Sequence, residues 1–171
     1  MGLCCNVEED PKELINNMKL KLKATKTKAE IKIVEKNKEI EKCKELAKFD
    51  LKNGNKKEAK NQIGEKQLKQ KIIEILQVKI GIIDDQILEL ENTEVNQDIT
   101  GIINSIDKKI KKIEYDIDNR QLAEDAGKIL KEENNELNVL EELKQLEAEV
   151  NKWSKTNEDN LVNDNGQSSK E

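Results

Sequence analysis

The residues of this chain best suited to chemistry come first: Met1-Gly2-Leu3-Cys4-Cys5-Asn6. Once Met1 is removed, the amine of Gly2 in a small, unhindered N-terminus is what an N-myristoyltransferase accepts. The pattern prefers Ser or Thr at position six, where Asn6 stands. One myristoyl chain binds membrane only marginally, with an association constant of order 10⁴ M⁻¹, so stable attachment needs a second signal. The thiols of Cys4 and Cys5 offer it as palmitoylation sites, which makes Gly2, Cys4 and Cys5 the candidate lipidation residues. The plain alternative is an ordinary initiator followed by two free thiols. Acylation would place the protein on the cytosolic face of a membrane.

Other chemistry finds little support. The chain has no His, which removes histidine acid–base, nucleophile-activating and metal-ligand roles. It has no Gly-x-x-x-x-Gly-Lys-Ser/Thr loop to cradle phosphates. Asp116-Ile117-Asp118-Asn119-Arg120 begins like a calcium loop, but Arg120 stands where the fifth ligand belongs and the following Gly is missing. The expectation is no enzyme, no catalytic residue, no metal and no cofactor. Three Cys, two of them adjacent at the N-terminus, are no disulfide framework and fit a reducing compartment. Cys43 reads as a small apolar residue in a helical seam.

The elements around these residues follow from composition. Of 171 residues, 39% are charged and 2% aromatic, so the large side chains that fill thick cores are scarce. The 35% that are hydrophobic are mostly Ile and Leu among abundant Lys and Glu, which fits long amphipathic helices with thin apolar seams. Apolar runs are too short to span a bilayer or to form a secretory signal core.

The only proline, Pro11, follows Asp10, giving a helix N-cap and first residue. Leu14, Met18, Leu22, Ala29, Ile33, Ile40, Ala47 and Leu51 then recur in steps that resolve into threes and fours, one stripe of an α-helix. Lys52-Asn53-Gly54-Asn55 breaks the pattern with residues that tolerate a left-handed backbone, so a helical hairpin is expected to turn here. The second arm shows a coiled-coil seam of Ile73, Leu76, Ile80, Ile83, Ile87 and Leu90, then Val95, Ile99, Ile103, Ile106, Ile110, Ile113 and Ile117. The phase slips between Leu90 and Val95, which predicts a rotation of the seam or a bend near Asn92. Gly64, Gly81 and Gly101 weaken this arm by about 1 kcal/mol each relative to Ala. Shorter patterns run from about Leu122 to Leu130 and from Glu136 to Val150, and the Asn-, Asp-, Ser- and Gly-rich end reads as a disordered tail. The expected fold is all-α: a long antiparallel helical hairpin with shorter C-terminal helices packing on it. Its parts are an acylated segment 1–10, a helical domain 11–150 with its turn near 52–55 and an acidic helix 136–150, and a disordered tail 151–171.

Charge divides the chain. Residues 1–82 carry 20 Lys against 13 acids, and residues 83–171 carry 11 basic against 23 acidic residues. Lys19, Lys21, Lys23, Lys26, Lys28, Lys32 and Lys36 face only Glu30 and Glu35 in the first arm, while residues 132–150 hold seven Glu and one Lys. A basic arm beside a lipid anchor is drawn to anionic lipid at about 1 kcal/mol per Lys. The first six of these lysines are the candidate membrane contacts. The bland alternative is a solvated helix face.

With its Gly2, basic first helix, Asn-Gly turn followed by Lys-Lys-Glu-Ala, long second helix and acidic end, the chain resembles the charged multivesicular body proteins of ESCRT-III. Within that family, Gly2 points to the N-myristoylated, filament-nucleating subunit. Leu46-Ala47, Leu51, Gly54, Lys56, Ala59-Lys60, Lys66, Gln67 and Leu90-Glu91 carry most of the resemblance, which extends more weakly to about Val150.

The resemblance implies a switch between a closed form, with acidic helices folded on the basic hairpin, and an open membrane-bound polymer that drives budding and scission into multivesicular bodies. Implied partners are anionic membrane, other ESCRT-III subunits and a winged-helix subunit of ESCRT-II, with no nucleic acid. The winged-helix subunit would meet Leu14, Ile15, Met18 and Leu22 of the first helix. The implied location is the cytoplasm and the cytosolic face of endosomal membrane. Coupling to the disassembly ATPase is doubtful, because the nearest match to its leucine-rich motif has Glu142 where Arg belongs, and the proline-rich version is missing. Leu137, Leu140, Leu143 and Leu146 are instead expected to hold an autoinhibitory helix. The alternative function is a passive acylated coiled-coil tether or cortical scaffold, which has no need of the basic/acidic split.

Overall fold

The computed structural model describes residues 10–93, 98–118, 120–133 and 135–164, the last twelve as helical backbone alone. The candidate lipidation residues Gly2, Cys4 and Cys5 and the seam residue Val95 lie outside this range. Five helices follow one another: α1 (Pro11–Lys52), α2 (Lys56–Glu91), α3 (Ile99–Asp118), α4 (Gln121–Glu132) and α5 (Glu136–Asp164). The fold is all-α, an antiparallel hairpin of α1 and α2 with shorter helices packed on it.

The chain's punctuation works as its residue types suggest. Asp10 caps α1, its Oδ1 accepting from the Lys12 N–H at 3.0 Å and its carbonyl from the Leu14 N–H at 3.0 Å. At the turn Gly54 takes φ +77°, the left-handed region where a side chain is strained. Its N–H donates to the Leu51 carbonyl (3.0 Å) and the Asn55 N–H to the Asp50 carbonyl (2.8 Å), a Schellman closure of α1. The Asn55 carbonyl then accepts the Ala59 N–H and opens α2.

The helices pack as two compact units. One joins α1 up to Glu35, α2 from Ile72, α3, and the start of α4 to Asp125. Lys19 meets Glu91 at 3.8 Å and Lys26 meets Asp84 at 2.7 Å, so α1 and α2 run antiparallel. Lys21 meets Asp107 and Lys28 meets Asp118, so α3 runs parallel to α1. The core between them is nearly all aliphatic: Met18, Leu22, Ala29, Ile72, Ile73, Leu76, Ile83, Leu90, Ile99, Ile106, Ile110, Ile113 and Ile117 are buried.

The other unit joins α1 from Lys36, α2 to Lys71, the remainder of α4 and α5. Its core clusters Ala47, Ala59, Ile63 and Val139, with Leu51, Leu143 and Leu146 packed against it. The acidic helix thus lies on the turn end of the hairpin.

Two boundaries differ from the sequence reading. The phase slip after Leu90 is a full break rather than a bend: α2 ends at Glu91 and α3 begins at Ile99. Gly101 is therefore no weakness inside an arm but part of the α3 start. Its N–H donates to the Asp98 carboxylate at 3.0 Å, and a Cβ at this position would collide with that carboxylate. At the other end α5 continues past Val150 to Asp164.

Candidate functional site

The basic face of α1 is engaged with acids of its own unit. Five of the six candidate membrane lysines have partners. Lys21 Nζ bonds Asp107 at 2.6 Å, Lys26 bonds both oxygens of Asp84 at 2.7 and 2.8 Å, and Lys28 bonds Asp118 at 2.6 Å. Lys19 approaches Glu91, and Lys32 donates to the carbonyl of Ile117, one of the carbonyls a helix end leaves open. Only Lys23 of the six is exposed and without a carboxylate among the described residues. Helical geometry explains the division: Lys19 and Lys26 flank the seam on the side of α2, and Lys21, Lys28 and Lys32 flank it on the side of α3.

These contacts bias the charges in the expected directions. The hydrogen bond from Lys111, then that from Lys21, holds the Asp107 carboxyl below its ordinary range despite a desolvation penalty. The Asp84 hydrogen bond pushes the Lys26 ammonium up, and Asp107 does the same for Lys111. Between the lysines, the buried Thr25 hydroxyl lies 3.0 Å from the Lys21 carbonyl and 2.9 Å from Glu114 Oε1, adding a polar tie between α1 and α3.

In the other unit α5 clasps the hairpin through charge around an apolar centre. Lys66 pairs with Glu142, Lys56 with Glu147 at 2.9 Å and Lys48 with Glu149 at 3.3 Å. Gln67 bonds Glu142 at 3.3 Å and accepts from Asn135. At Lys69, burial works against the ammonium, but a hydrogen bond to Glu65 and the nearby Cys43 and Glu39 outweigh it, so its pKa is raised.

The apolar side of the clasp corrects the sequence reading. Leu143 and Leu146 pack on the hairpin as expected, but Leu137 is 70% and Leu140 is 39% exposed. Val139 and Val150 are buried instead. Steps of three turn an α-helix short of a full turn, so Leu137 sits roughly 180° round from Leu146, whereas 139, 143, 146 and 150 stay on one face. Assigning the leucines alone hid this seam; testing the valines for 4-3-4 spacing would have found it.

The first-helix residues proposed for a partner also divide. Met18 and Leu22 are buried in the hairpin seam, and Leu14 and Ile15 are half-buried. In this arrangement Met18 and Leu22 are closed to a partner, because the stripe that makes α1 amphipathic is the one α2 and α3 cover. Facing away from that seam, Leu20, Ile31 and Val34 are exposed. No described helix is long and apolar enough to cross a membrane. No family model, curated protein or solved structure matches the chain.

Proposed function

We propose that this protein is a membrane-associated, non-enzymatic helical subunit of the ESCRT-III kind, held closed by its acidic C-terminal helix until it assembles. Acylation at Gly2 with Cys4 or Cys5 holds it on the cytosolic face of endosomal membrane, and its open form nucleates filaments with other ESCRT-III subunits during budding into multivesicular bodies. The observation that carries this reading is the clasp of α5 on the hairpin, in which Glu142, Glu147 and Glu149 meet Lys66, Lys56 and Lys48 around Val139, Leu143 and Leu146. A surface that recruits both an acidic segment and an apolar seam is one that removal of that segment uncovers.

The α1 lysines fit the same scheme. Exposed ion pairs contribute about 0–1 kcal/mol each and are screened by salt, so anionic lipid can compete for them once the helices separate.

The test compares the full chain with one ending at Glu133 by sedimentation and negative-stain microscopy. The shortened chain should form filaments or large oligomers under conditions in which the full chain does not. Identical behaviour of the two would favour the passive coiled-coil tether.

A further inference from the structure

The charges of α3 are segregated. Its four carboxylates all have partners: Asp107 with Lys21 and Lys111, Glu114 with Thr25, Asp116 with Lys79 at 2.6 Å, and Asp118 with Lys28. Lys109 turns toward α2, where it donates to Gln86 at 3.1 Å. On the side opposite the buried seam of Ile106, Ile110, Ile113 and Ile117 stand Lys108, Lys112 and Tyr115, spaced by four and three residues. Lys108 and Lys112 are exposed and meet no carboxylate among the described residues. Lys111 beside them keeps its side chain 68% exposed while bonding Asp107, and Tyr115 is 63% exposed.

We propose that this outer face of α3, formed by Lys108, Lys111, Lys112 and Tyr115, is a docking surface for anionic lipid headgroups that operates while the α1 lysines are still engaged internally. It rests on the reading of an acylated membrane protein given above. The occupant follows from charge and shape. A face on which Lys108 and Lys112 meet no carboxylate among the described residues, with the exposed Lys111 beside them still bonding Asp107, matches a surface of negative charge, and a tyrosine among them has the amphipathic ring that favours the headgroup level of a bilayer.

The position also suits the anchor. The Lys21–Asp107 pair sets Lys108 near the end of the third turn of α1, about 15 Å along the helix from Pro11. A ten-residue segment reaches at most about 35 Å, so acyl chains near Gly2 and the α3 face can engage one bilayer together, and each raises the effective concentration of the other. Docking would therefore precede opening: the closed protein is held at the membrane by α3 and the anchor, and the α1 lysines exchange Asp84, Asp107 and Asp118 for lipid afterwards.

The experiment uses the full chain made without acyltransferase, so that the anchor contributes nothing. Binding is measured by co-sedimentation with phosphatidylcholine vesicles with and without phosphatidylserine. The parent should bind only the anionic vesicles, and Lys108→Gln with Lys112→Gln should weaken that binding roughly 25-fold, about fivefold per lysine. Lys21→Gln with Lys28→Gln should weaken it far less. A Tyr115→Trp chain that also carries Trp153→Phe should show a blue shift of its single indole on the anionic vesicles. Greater loss in the α1 pair, no loss in the α3 pair, or no binding by the parent would overturn the proposal. Tighter binding to a DNA duplex, lost in the α3 pair, would overturn it in favour of nucleic acid. None of these outcomes touches the acyl anchor, which Gly2→Ala fractionation in cells reports separately.

Discussion

Gly54 shows how much one backbone angle controls. At φ +77° it closes α1 and frees Asn55 to open α2, and nothing lies within 4 Å of where a Cβ would be. A side chain there meets no steric wall, only the strain of the left-handed backbone. Gly54→Ala should therefore lower stability by about 1 kcal/mol without changing the fold, read as a lower urea midpoint with an unchanged slope. Asp107 offers a charge test. Its folded pKa is depressed by Lys111 and Lys21, so its contribution is present above the unfolded value of about 3.9 and disappears as pH falls through the lower folded value. Asp107→Asn should be less stable than the parent at neutral pH, and urea midpoints of the two should converge as pH drops below about 4.

Among the elements, α5 gives the sharpest contrast because its two faces can be changed independently. Val139 is buried and Leu143 packs against the cluster it forms with Ala47, Ala59 and Ile63, whereas Leu137 and Leu140 lie outside the seam. Burying each apolar side chain contributes about 1.5–3 kcal/mol. Val139→Asp with Leu143→Asp should thus open the clasp by two orders of magnitude or more, seen as faster amide exchange in α5 and in residues 56–71. Leu137→Asp with Leu140→Asp should leave exchange at the parent rate. If the second pair opens the clasp and the first does not, the seam assignment is wrong. Raising salt should loosen the clasp only partly, since Glu142, Glu147 and Glu149 supply screened ion pairs around a core that salt does not weaken.

For the whole molecule, attachment depends on the lipid signals and the charged faces acting together. Gly2→Ala should move most of the protein from the membrane to the cytosolic fraction, because it removes the myristoyl chain and with it the context for acylating Cys4 and Cys5. Cys4→Ser with Cys5→Ser should leave a weaker, salt-sensitive association, since one acyl chain alone binds marginally. Unchanged fractionation of Gly2→Ala would remove the lipid anchor from the proposal.

The helices themselves were legible in the sequence because their determinants are local. Asp10-Pro11 starts α1, Asn53-Gly54-Asn55 ends it, and the 3–4 spacing of Met18, Leu22, Ala29, Ile40 and Ala47 marks residues that prove buried. The same spacing identified Ile106, Ile110, Ile113 and Ile117 in α3. The break after Glu91 was visible only as a slip of phase, since a bend and a complete stop disturb the period alike. Which lysines remain available was beyond the sequence: Lys21 and Lys108 look equivalent there, yet one meets Asp107 and the other meets no carboxylate among the described residues. That choice depends on which helix packs on which side of α1, and the pairing brings together residues 86 positions apart. The Val139 seam of α5, by contrast, is legible in the 4-3-4 spacing of Val139, Leu143, Leu146 and Val150, which leaves Leu137 and Leu140 outside it. Local spacing determines that a seam exists; packing between distant segments decides which side chains it covers.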